Sequence, residues 1–79
     1  MLLGGVNMTQ CGAHIKARRE LLGMNQTQLA VAINMDNSMI SKLEAGKARP
    51  SLSTLLRLSS VLGVSISDLV EKEDAEQRR

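Results

Sequence analysis

Two short apolar patterns at helical spacing lie on either side of a tight break in residues 26–44, which read QTQLAVAINMDNSMISKLE. Leu29, Ala30 and Ile33 make the first pattern, and Ile40 and Leu43 make the second. Asn34 stands at the break, and Asn is the non-glycine residue best able to take a left-handed backbone conformation. Asp36 follows as an N-cap whose carboxylate can accept backbone N–H groups left open at a helix start. Ala30 faces the place where the second helix must cross the first, and its small side chain permits close approach. The pattern predicts two helices joined by a turn, the second presenting Asn37, Ser38, Ser41 and Lys42 on its outer side.

The same periodicity predicts three further helices. A first helix over 10–22, capped by Thr9 and ended by Gly23, takes Ile15, Leu21 and Leu22 as its apolar stripe. Asn25 caps a second helix over 26–33, and Gly46 closes a third over 37–45. Ser51 caps a fourth over 52–62, with Leu52, Leu55, Leu56, Leu58, Val61 and Leu62 as its buried set and Gly63 as its stop. Ser65 and Asp68 form a capping-box pattern that opens a short fifth helix through Val70. The expected architecture is all-α, a compact five-helix bundle. Residues 1–8 read as a flexible arm, 9–71 as the domain and 72–79 as a charged tail.

Composition narrows this picture. The chain has 79 residues, enough for one small domain whose core burial benefits from oligomerisation. No aromatic residue is present, so Leu, Ile, Val, Met and Ala must fill the core. Base-stacking single-strand binders, which need aromatic platforms, are excluded on the same ground. The net charge is only +2, but it is unevenly spread. Lys16, Arg18, Arg19, Lys42, Lys47 and Arg49 precede Pro50, whereas Asp68, Glu71, Glu73, Asp74 and Glu76 gather near the end. A basic front half fits a nucleic-acid face.

Cys11 is the single cysteine and His14 the single histidine, so neither a disulfide framework nor an ordinary zinc site is expected. No metal, cofactor, membrane span or secretory leader is expected, and the location expected is the cytoplasm. There is no nucleophile–base spacing and no Gly-rich phosphate loop, so no enzyme activity is expected.

Over 15–70 the chain resembles the Cro/repressor-type (XRE-like) helix-turn-helix family of phage and bacterial regulators. The resemblance rests on Arg19, on NQTQLA over 25–30, on ISKLEAGKARPS over 40–51 and on LGVSISDL over 62–69. It implies a five-helix domain that binds operator DNA as a two-fold dimer, and a pairing of Arg19 with Glu44. Two positions depart from the family pattern besides Asn34: Met39 replaces a small hydroxyl residue, and Asp36 adds a negative charge near the DNA.

On that resemblance the start of the third helix enters the major groove. Asn37, Ser38, Ser41 and Lys42 then read bases, Asn37 suiting adenine and Lys42 guanine. Asn25, Gln26, Lys47 and Arg49 hold phosphates. Val64, Ile66, Leu69 and Val70 form the dimer interface, with closure of the chain's own core as the competing role for Ile66 and Leu69. The expected function is a sequence-specific regulator of transcription, a repressor on a palindromic duplex operator. The alternative is an antitoxin that binds a toxin protein and its own promoter.

Overall fold

The computed structural model describes the backbone of residues 6–72 and the side chains of 11–70. Five helices follow one another: α1 Met8–Leu21, α2 Gln26–Ala32, α3 Asn37–Glu44, α4 Leu52–Leu62 and α5 Ile66–Leu69. Val6–Asn7 (β1) pairs antiparallel with Glu71–Lys72 (β2), Val6 opposite Lys72 and Asn7 opposite Glu71. This two-residue ladder joins the two ends of the helical unit. Because β1 turns straight into α1 at Met8, Thr9 lies within the helix and not at its cap. The arm expected over 1–8 falls largely outside the described residues, as does the tail beyond Lys72.

Helix ends follow local chemistry. Asn25 caps α2 through a reciprocal pair: its Oδ1 accepts from the Gln28 amide at 2.7 Å, and its own amide donates to the Gln28 side chain at 2.8 Å. Ser51 and Ser65 cap α4 and α5, the latter in a full capping box with Asp68. The end of α2 closes on Asn34 at φ 59°. There the Met35 amide donates to the Ala30 carbonyl at 2.9 Å and the Asn34 amide to that of Val31 at 3.1 Å. This satisfies two carbonyls that a helix end leaves open, and it turns the chain sharply toward α3.

Cys11 and Ile15 of α1, Leu29, Ala30 and Ile33 around α2, Ile40 and Leu43 of α3, and Leu55, Leu58, Leu62 and Leu69 form one core. Two expected stripes are corrected. On α1 the inward positions are Cys11, Ile15 and Arg19, one turn apart, whereas Leu21 is 72% exposed and Leu22 45%. Leu21 points off that face, and Leu22 leaves it because the helix has already ended. On α4 the inward positions are Thr54, Leu55, Leu58 and Leu62. Leu52 and Leu56 share the opposite flank and remain exposed.

Candidate nucleic-acid interface

The core fixes which side of α3 faces out. Ile40 and Leu43 are buried against α1 and α2, so Asn37, Ser38, Ser41 and Lys42 are all exposed on the other side. Successive positions on a helix turn by about 100°, which spreads these four over one polar face. Met35 and Met39 beside them are half-buried and pack on the core.

Asp36 occupies the N-cap position of α3 with extended backbone, φ −71° and ψ 145°, but its side chain makes no capping hydrogen bond. The capping role expected of its carboxylate is therefore corrected. The Asp36 carbonyl instead receives the Met39 and Ile40 amides at 3.0 and 3.2 Å. Its side chain points to solvent.

The C-terminal end of α3 is held by charge. Arg19 Nε donates to Glu44 Oε2 at 2.7 Å and the second terminal nitrogen to Oε1 at 3.0 Å, a two-pronged pair. The remaining terminal nitrogen donates to the Met24 carbonyl at 2.8 Å. Both side chains are almost wholly buried, 8% and 3% exposed. The hydrogen bond to Glu44 raises the Arg19 pKa above its ordinary value, against an opposing effect of burial. Gln26, at the start of α2, donates through Nε2 to the same Glu44 Oε1 at 3.1 Å. The first turn of α2 and the last turn of α3 are thereby joined through one carboxylate.

The cations divide into a set turned onto the fold and a set left exposed. Arg19 turns inward, and Arg18 donates to the Leu62 carbonyl at 2.9 Å, closing the end of α4. Arg57, which composition does not single out, donates to the Ile33 carbonyl at 3.1 Å and helps close α2. Lys42, Lys47 and Arg49 stay exposed. The Lys47 amide donates back to the Lys42 carbonyl at 2.9 Å, so the basic loop begins directly off α3. Asn25 is exposed with its oxygen used in the cap, which leaves its amide nitrogen facing outward. Gln26 is half-buried, with one amide proton committed to Glu44.

Among the four positions expected at a dimer interface, Val64, Ile66 and Val70 are half-buried. Leu69 is 1% exposed within the single chain. Its surface is taken up by the monomer core, so it has none to offer a second copy. α1 approaches α3 closely at Gly12, and the only signal for this in the sequence is a glycine inside a helical pattern. Among the described residues, no group of His, Cys, Asp and Glu is placed to hold a metal ion, and no helix is long and apolar enough to cross a membrane.

The family described as helix-turn-helix matches residues 15–69. The immunity repressor protein of Bacillus phage phi105 is 37% identical over 62 residues, covering 78% of this chain and 43% of that protein. The chain thus spans less than half the length of that relative. The master regulator for biofilm formation SinR, solved in complex with DNA, superposes with a TM-score of 0.71 at 32% identity, covering 75% of this chain and 95% of that one. Hydroxypropylphosphonic acid epoxidase from S. wedmorenis superposes with a TM-score of 0.75 at 29% identity, covering 81% of this chain but 34% of that one. The same arrangement of helices is thus found as nearly a whole regulator chain and as one part of a larger enzyme.

Proposed function

We propose that this chain, which belongs to the helix-turn-helix family, is a DNA-binding transcriptional regulator that represses by occupying a palindromic operator as a homodimer. The observation that carries this is the polar outer face of α3. Asn37, Ser38, Ser41 and Lys42 are exposed while Ile40 and Leu43 anchor the helix from behind. Asn37 has the paired donor and acceptor that match adenine N7 and N6, and Lys42 can donate to guanine O6 and N7. The two serines accept or donate and discriminate less.

Phosphates fix the register. The free amide nitrogen of Asn25, the second amide proton of Gln26, and the exposed Lys47 and Arg49 are the donors available for them. Lys47 and Arg49 of two copies neutralise about four phosphates per dimer, which gives a log–log salt slope of about −4. Two copies of α3 reach successive major grooves when they sit about 34 Å apart. The half-buried Val64, Ile66 and Val70 supply the surface for that pairing, without Leu69. A cytoplasmic location goes with such a role.

Selection of bound sequences from a pool of random duplexes tests all of this together. The expected product is an inverted repeat whose half-sites lie one helical turn apart. An absence of preference over random competitor in dilute buffer would overturn the regulator assignment. A single unrepeated half-site bound by a monomer would overturn the dimer alone.

A further inference from the structure

We propose that the Asp36 carboxylate is a base-reading group that selects cytosine at one position of each half-site; the inference rests on the DNA-binding role proposed above. Four N-caps are described in this structure, and three of them work on their own helix. Asn25, Ser51 and Ser65 each accept from the backbone N–H three residues ahead. Asp36 holds the same extended backbone and does not. No ion pair involves it among the described residues. Its carboxylate is exposed immediately ahead of Asn37, at the end of α3 that meets base edges.

An ionised carboxylate brought among phosphates is repelled unless a donor meets it. It can only accept hydrogen bonds. Guanine shows two acceptors in the major groove, and thymine shows one acceptor and a methyl group. Adenine has a donor at N6, but its N7 acceptor lies alongside and repels the second carboxylate oxygen. Cytosine alone presents its amino donor at N4 with no acceptor on its own major-groove edge. The charge that opposes binding in general therefore favours one base in particular.

Duplex selection with wild type, Asp36→Ser and Asp36→Asn separates the possibilities. Serine keeps a capping residue and removes the charge. Asparagine keeps the shape and adds a donor suited to adenine. Wild type is expected to prefer cytosine at one half-site position by about ten-fold. Asp36→Ser should lose that preference while the rest of the half-site is unchanged, and Asp36→Asn should move it toward adenine. If both variants recover the wild-type half-site, or gain affinity equally for every sequence, the Asp36 assignment is overturned and the regulator stands. If wild type itself enriches nothing, both are overturned.

Discussion

Gly12 of α1 and Glu44 of α3 meet backbone to backbone: a Cβ built on Gly12 would lie 2.7 Å from the Glu44 carbonyl oxygen. The Leu43 carbonyl oxygen is nearer still. In an open helix an alanine at this position would stabilise by about 0.5–1 kcal/mol over glycine. Here the sign reverses, because backbone cannot move aside as a flexible side chain can. Gly12→Ala is expected to destabilise the fold by about 1–3 kcal/mol, read as a lower midpoint in urea. A raised midpoint would mean that α1 and α3 do not touch there.

Arg19 and Glu44 form a pair that neither partner can leave alone. Truncating one strands the other charge in a nearly dry site, a loss of about 3–5 kcal/mol. Arg19→Ala should therefore be severely destabilised. Arg19→Met combined with Glu44→Leu should recover most of the loss, because no charge then remains buried. Equal instability of the single and double variants would contradict this. The raised pKa of Arg19 means that, with Glu44 ionised, its contribution is fully present from neutral pH up to the ordinary guanidinium range and is lost only above it. Stability of the wild type should thus show no decline from this pair between neutral pH and about pH 10.

The turn into α3 depends on Asn34 at φ 59°. Glycine takes that conformation without a Cβ conflict, so Asn34→Gly should leave the melting temperature nearly unchanged. Asn34→Ala should cost about 1–2 kcal/mol. Indifference to alanine would place the turn in another conformation.

Burial pushes the Cys11 thiol pKa up. The unfolded chain then loses its thiol proton at a lower pH than the folded one does. Stability should be unaffected below the ordinary thiol range, about pH 8.5, and should fall as pH rises beyond it. Cys11→Ala should remove that part of the alkaline slope, whatever its effect at neutral pH. Unfolding titrations across pH 7–10 would check this, and identical slopes in both proteins would refute it.

Helix ends were legible in the sequence because their chemistry is local: Asn25, Asn34, Ser51, Ser65 and Gly63 each act within a few residues. The polar face of α3 was legible for a similar reason, since Ile40 and Leu43 leave it only one orientation. Leu21, Leu22, Leu52 and Leu56 were misplaced because leucine fits an apolar stripe wherever it falls near the right period. Only the actual position of neighbouring helices decides between adjacent stripes. Arg18 and Arg57 each close a carbonyl at a helix end far away in sequence, and no local pattern signals such a bond. Gly12 shows its purpose only once α3 is laid against it. Asp36 has the right residue type and the right position for a cap, and the bond still is not made.

The two ends of α3 are held very differently. At its base Leu43 and Glu44 press on Gly12, the carboxylate is gripped by Arg19 and Gln26, and the following loop is tied back to Lys42. At its tip no side chain closes the first turn. Side-chain bonds that hold α3 to the fold thus gather at its base, while its start is held by backbone bonds and by Met35, Met39 and Ile40 on the core. Asp36, Asn37 and Ser38 can therefore be exchanged for other residues without breaking any side-chain bond that holds the helix in place.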